Sequence, residues 1–274
     1  MGGVVAGVGV AAPRTDPLIW QVALAAIALA ALGFVDDLRS MSVAPRLLAQ
    51  LVLGAVAGWV VRAEPLWLAL GAVVIALSVN CVNFMDGING ITALTIALWG
   101  ASGMVAATRH EAPVLFAICA VTAAAAIAFL PANAPMARLF LGDVGSYLFG
   151  GLVGVGILVG IDSHVDLALL LAPLAVYAAD TSFTLLRRVR RRQALLSAHR
   201  DHVYQRLVWV RGHSHVAVAG AVTLVSLAIV SSWALFPAPV ASVVTALLLL
   251  AYLSAPRLDA LGTQRAERER DVRA

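Results

Sequence analysis

Four clusters of polar residues could do chemistry in a chain that is otherwise mostly apolar. The richest runs from Asn80 to Gly90 and holds Asn80, Asn83, Asp86 and Asn89 together with Gly87 and Gly90. Asn80, Asn83 and Asp86 recur every third residue, which on a helix sets them along one face. The glycines let the backbone turn and approach a ligand closely. A capped Asp-Gly turn is the plain alternative, yet three amides and an acid exceed what a cap needs. Asp36-Asp37 comes second. Adjacent carboxylates can hold a hard cation such as Mg²⁺, which takes oxygen ligands and keeps part of its water shell. The alternative is a solvated stop at the end of a span.

The third cluster centres on Asp143, between Gly142 and Gly145, with Ser146 following. Asp and Ser are favoured N-caps, and a helix N-terminus also attracts anions, which would suit phosphates held by a metal on Asp143. Phe140, just before it, is either an interfacial anchor or a flat apolar face for a base. The fourth comprises His199, His202 and Arg206, placed to grip a diphosphate through charge-assisted hydrogen bonds. Zinc fits less well, because no third and fourth ligand stands at a standard spacing.

The elements that must position these clusters are membrane helices. Of 274 residues, 61% are hydrophobic and 12% charged, and mean hydropathy is +0.92. An ordinary soluble domain carries about 25% charged residues. Apolar blocks fall at 17–35, 47–61, 66–82, 91–108, 112–130, 145–161, 165–186, 215–235 and 240–253, with a shorter one at 2–12. The longer blocks approach the roughly 20 residues that cross a hydrocarbon core. Backbone groups in lipid must be satisfied within the segment, so the blocks read as helices. The expected fold is an all-α polytopic bundle with about nine to ten spans. Residues 1–254 read as one transmembrane domain and 255–274 as a charged tail. Cys81 and Cys119 give neither a disulfide framework nor metal-ligand spacing.

Orientation follows from arginine. All nineteen basic residues are Arg, and Arg187, Arg188, Arg190, Arg191, Arg192, Arg200, Arg206 and Arg211 share one loop. The positive-inside rule places that loop in the cytoplasm, and alternation then brings 36–46, 83–90 and 131–144 to the same face. The formal charge of +4 is thus a matter of topology and anionic-lipid contact, not a nucleic-acid signal. Asp180 lies inside a span, where an acid is a functional candidate by default. Pairing with an arginine of the following loop, or with Thr181 and Thr184, is the structural alternative.

Asp36-Asp37, Asn83 to Gly90, Phe140 to Ser146, Asp180-Thr181 with Arg187-Arg188, and His199 to Arg206 follow one another in this order. Together they resemble the polyprenyl-phosphate N-acetylhexosamine-1-phosphate transferases of glycosyltransferase family 4. That family starts peptidoglycan, enterobacterial common antigen and O-antigen lipid intermediates. The resemblance implies a multi-pass enzyme of the bacterial inner membrane with a cytoplasmic site. The reaction it implies is transfer of a sugar 1-phosphate from a UDP-N-acetylhexosamine to undecaprenyl phosphate, releasing UMP. Mg²⁺ is the implied cofactor, with Mn²⁺ as the alternative ion. Membrane lipid and a homodimer are the further implied partners.

Carried over by residue, Asp143 would ligate the metal, and Asp36 and Asp37 would position or deprotonate the lipid phosphate, with Asp36 sharing the metal. Asn83, Asp86 and Asn89 would face the nucleoside, with Phe140 on the uracil. His199, His202 and Arg206 would hold the diphosphate, with Asn80 and Asp180 in support. Asn89 departs from the pattern, since many members carry Asp there. The loop also lacks the consecutive histidines of the muramoyl-pentapeptide branch, which favours a small amino sugar. Members usually carry another span and a basic, glycine-rich loop before residue 17, and Met1 to Val5 match the end of that loop. Two other readings are a secondary transporter using its intramembrane carboxylates and an inactive, truncated paralogue.

Overall fold

The computed structural model describes residues 17–193 and 201–271, with side chains as far as Arg257. The apolar block at 2–12 and His199 lie outside the described residues. Helices α1 (Pro17–Arg39), α2 (Val43–Val61), α3 (Pro65–Met85), α4 (Ile91–Arg109), α5 (Pro113–Asn133) and α6 (Gly142–Asp162) come first. A short α7 (Leu167–Leu171) then leads through a 3₁₀ turn, Ala172–Leu174, into α8 (Ala175–Arg190). The remainder is α9 (Val203–Trp209), α10 (His215–Leu235) and α11 (Ala238–Asp271). Nine of the described segments are long and apolar enough to cross a membrane, with Leu167–Arg190 counted once. The protein is an all-helical polytopic membrane bundle.

The block at 165–186, expected as one uninterrupted span, is broken at Pro173. Proline has no N–H to donate and clashes with the preceding turn, and a break at membrane depth is tolerated where it is packed inside protein. Pro173 and its neighbour Ala172 are both buried. Polar residues also extend the helices beyond their apolar blocks. Asp36 and Asp37 sit in the last turn of α1, not in a loop after it, and α11 carries on past Pro256 through most of the charged tail.

Helix α6 is the axis of the bundle, packing against α1, α3 and α4. Its glycines explain how. A β-carbon added to Gly150 would stand 2.5 Å from Val79 Cα, one on Gly154 would stand 2.7 Å from Ile75 Cδ1, and one on Gly156 would stand 2.6 Å from Trp99. In lipid, apolar burial gives little drive for helix association, so close backbone approach and van der Waals contact take its place. Helices α2 and α3 meet the same way, through Gly54, Gly58 and Gly71. A second cluster of buried apolar residues, including Met85, Ile88, Tyr177, Tyr204 and Tyr252, packs α8 to α11 around the ends of α3 and α4.

Gly150→Val is therefore expected to force α6 away from α3 and cost about 1–3 kcal/mol, as overpacking does. A thermal melt in detergent checks it. Gly220, where an added β-carbon meets nothing within 4 Å, provides the tolerant control.

Candidate active site

The polar clusters meet at one end of the bundle, and the first junction is between α1 and α6. Asp37 accepts hydrogen bonds from the backbone N–H of Asp143 (2.9 Å) and Val144 (3.1 Å). It thus caps α6 from another helix, and the anion site expected at that N-terminus is filled by the protein's own carboxylate. Two glycines make room for it. Gly33 lets α1 reach the backbone of Asp143 and Val144, and Gly142, at φ +64, leaves space where a β-carbon would stand 2.8 Å from Asp37 Oδ2.

Asp36 is buried beside this junction. Its Oδ2 accepts from Tyr147 Oη (2.8 Å) and Arg46 Nη1 (3.2 Å), and its Oδ1 accepts from Met41 N–H (2.8 Å). These bonds tie α1 to α2 and α6 at once. The Asp143 side chain, free of capping work, points instead at Asn83, whose amide nitrogen donates to Asp143 Oδ1 and to Ser146 Oγ (3.0 Å). The Asp143 carboxyl also faces Asp36 and Asp37.

The expectation that Asn80, Asn83 and Asp86 line one face needs correcting. A three-residue step on an α-helix falls about 60° short of a full turn, so successive side chains fan out. Asn80 turns to α2 and donates to Gln50 Oε1, Asn83 turns to α6, and Asp86 caps the C-terminus of α3 beside Thr92. Burial, with a smaller contribution from the Asp143 charge, pushes the Asp86 carboxyl up to about 6.

The 86–90 turn is held by residues that the motif reading passed over. Asn133, at the end of α5, accepts from Gly90 N–H (2.7 Å) and donates to Leu139 C=O (3.0 Å). Gly90 has φ +82, a left-handed conformation open to glycine. His215 Nδ1, at the start of α10, accepts from Asn89 N–H (3.3 Å). The Asn89 side-chain amide donates to Pro135 C=O (3.0 Å). A carboxylate has no proton to donate there, which gives the asparagine a physical reason. Phe140 lies in the 134–141 loop with 76% of its surface exposed.

The basic segment folds as α9. His202 is buried, its Nδ1 lies 3.1 Å from Asp180 Oδ1, and it caps α9 in a reciprocal pair with Gln205. Arg187 and Arg188 pair with Asp201 (3.3 and 2.7 Å), not with Asp180. Arg206 is partly exposed, and burial together with Arg187, Arg211, Arg257 and Arg191 holds its guanidinium below the usual range. Asp36, Asp37, Asn83 and Asp143 are therefore one contact network, with Asp86 and Asn89 adjoining it. Asp180, His202 and Arg206 form a second group, joined to the first where Tyr204 Oη donates to Phe84 C=O (3.0 Å).

Among the described residues, no three carboxylate, imidazole or thiolate side chains are placed to cage a metal. The donor set still fits Mg²⁺, which binds through one or two carboxylates plus water and substrate phosphate oxygens. Asp143 and Asp36 are hard oxygen donors in mutual range, with Arg46 as the cation paired to Asp36.

The fold and the site together define a polytopic helical membrane protein with carboxylates, amides and arginines gathered at one end of the bundle. Residues 19–161 match glycosyl transferase family 4, and the chain belongs to that family. It is similar to a probable undecaprenyl-phosphate N-acetylglucosaminyl 1-phosphate transferase of Bacillus subtilis, with 25% identity over 75% of this chain and 63% of the relative. It is similar to a decaprenyl-phosphate N-acetylglucosaminephosphotransferase of Mycolicibacterium smegmatis, with 33% identity over 50% of this chain and 39% of the relative. A phospho-N-acetylmuramoyl-pentapeptide-transferase of Acetivibrio thermocellus shares 40% identity over 32% of this chain and 28% of its own length. The matches thus span less than two thirds of each of these relatives.

Two outcomes are expected. Asn89→Asp loses the bond to Pro135 and loosens the 134–141 loop, which faster proteolysis or hydrogen exchange of that loop would register. The folded Asp86 carboxyl, at about 6 against an ordinary 3.8, binds its proton more tightly than the unfolded one, so it costs stability above that range. Asp86→Asn should therefore melt above the wild type at pH 7, and the gap should shrink as pH falls from about 6 towards 3.8.

Proposed function

We propose that the protein transfers an N-acetylhexosamine 1-phosphate from a UDP-sugar to undecaprenyl phosphate and releases UMP. One observation carries this reading. The carboxylate network opens beside an apolar groove of about 1030 Å³ whose lining runs from Arg46 and Asn80 past Leu77 and Leu171 to Trp233. Leu47, Leu77 and Leu171 on its rim are exposed, so the groove is reachable from lipid. Its apolar length suits a prenyl chain. Arg46, already paired with Asp36, suits the phosphate at that chain's head.

In the reaction an oxygen of the lipid phosphate bonds to the β-phosphorus of the UDP-sugar, and the bond from that phosphorus to the bridging oxygen breaks, sending UMP away with the electron pair. The nucleophile is already anionic, so the barrier is chiefly repulsion between phosphates. Mg²⁺ bound at Asp143 and Asp36 would neutralise charge on the phosphoryl oxygens. Asn83 orients Asp143, and Asp37 keeps the α6 N-terminus, and hence Asp143, beside Asp36. Asp86 and Asn89 form the nucleoside wall, with Phe140 free to stack on uracil. Arg206 meets the diphosphate with His199, and His202 serves it by capping the helix that carries Arg206.

The arginine-rich segment shares this end of the bundle, which supports a cytoplasmic site in a bacterial inner membrane. The loop that favours a small amino sugar suggests UDP-N-acetylglucosamine over the muramoyl pentapeptide. The product would start a surface polysaccharide, O-antigen or cell-wall glycan. A transporter reading draws no support from Asp180, which lies with the other acids near one end and is bonded to its own neighbours.

Membranes incubated with radiolabelled UDP-N-acetylglucosamine, undecaprenyl phosphate and Mg²⁺ should yield lipid-linked label. Asp143→Ala should lower that yield by on the order of a hundredfold or more. A panel of UDP-sugars in the same assay identifies the donor. Solute uptake with no lipid product would overturn the proposal.

A further inference from the structure

Asp180 is fully buried, and four donors converge on it, with the His202 ring alongside. Oδ1 receives Thr184 Oγ1 (3.1 Å) and Val203 N–H (3.0 Å) and faces His202 Nδ1 (3.1 Å), while Oδ2 receives Tyr204 N–H (3.3 Å) and Tyr252 Oη (2.7 Å). The two backbone donors open α9, so a carboxylate on α8 caps α9 and a phenol on α11 holds that carboxylate. Tyr252 is itself buried, packed in the apolar cluster that contains Val203, Tyr204 and Val208. A second tie lies at the other end of α9, where the Arg211 guanidinium donates twice to Pro256 C=O on α11 (3.0 and 2.8 Å). Helix α9 is thus pinned at both ends to the C-terminal span. That span lies outside residues 19–161, the part that matches the family.

We propose that Tyr252 is a positioning residue: through Asp180 it fixes α9, and so sets Arg206 and the Tyr204–Phe84 contact against the nucleotide wall. This rests on the transferase reading, in which Arg206 meets the diphosphate. A buried carboxylate held by several donors has few alternative positions, because each lost bond leaves an uncompensated polar group. Remove the phenol, and the acid can follow Thr184 and α8 while α9 drifts from the site. The long span α11 is then part of the catalytic apparatus, not merely a further membrane anchor.

The test is Tyr252→Phe, which keeps the ring and deletes one donor, in the full-length protein in detergent or nanodiscs. Hydrogen exchange read by mass spectrometry should speed up at 203–209 and stay unchanged in α4 and α6. Turnover per bound UDP-sugar should fall about tenfold, the size of a lost bond to a charged group. That loss should disappear when measured in an Arg206→Ala background, since residues acting through one another are non-additive. Arg211→Ala, which cuts the second tie and leaves Asp180 untouched, should loosen α9 in the same way. Unchanged exchange at 203–209 in both variants would overturn the proposal, as would faster exchange with full turnover. Losses that simply add to those of Arg206→Ala would mark Tyr252 as structural only. Wild-type membranes giving no lipid-linked product would instead sink the transferase reading, while exchange at α9 would still report on the clamp.

Discussion

A carboxylate from one helix caps the N-terminus of another, and the polar end of this bundle is arranged around that bond. Asp37 takes the first free N–H groups of α6, so α6 cannot slide along α1 without exposing two donors and a carboxylate. The restraint matters because α6 carries Asp143 and packs on α1, α3 and α4 through glycines. Side chains elsewhere in the membrane have little to hold them in register, since lipid competes well for apolar surface. The cap supplies a directional restraint where apolar packing supplies only a general one.

From that anchor the rest of the first network follows. Asp143 need not cap its own helix, which leaves its carboxyl to Asn83 and to the space it shares with Asp36. Asp36 is held by Tyr147 and Arg46, and Arg46 in turn lines the apolar groove. The same side chains therefore connect the charged end to the lipid-facing groove. The proposed reaction, which joins a water-soluble phosphate donor to a lipid acceptor, needs such a junction. Asp180 repeats the device on the other side, where a carboxylate from α8 caps α9 with help from α11.

The motif residues were legible in the sequence because their chemistry is local. Asn83, Asp86, Asn89 and Asp143 stand out as polar groups at the ends of apolar blocks, where their cost is highest. Their partners were not legible. Asn133 and His215 look like ordinary helix-end residues until the 86–90 turn is seen to rest on them. Asn89 read as a lost charge, and the structure makes it a donor to Pro135. His202 read as a ligand of phosphate, and it lies buried as a helix cap. A side chain's type reveals what it can bond to, not which of its bonds folding uses up.

The sequence by itself determined that the chain is a helical membrane bundle, where its spans fall, and which polar motifs break them. Those properties depend on the composition of each segment and on its transfer into lipid, and neither needs a neighbour. Only the tertiary structure decided that Asp37 caps α6, that Asp180 serves α9, and that Tyr252 reaches Asp180. These contacts join residues 106, 23 and 72 positions apart. No local pattern encodes them, because they exist only once glycine-faced helices have packed closely enough to set a carboxylate against another helix's end.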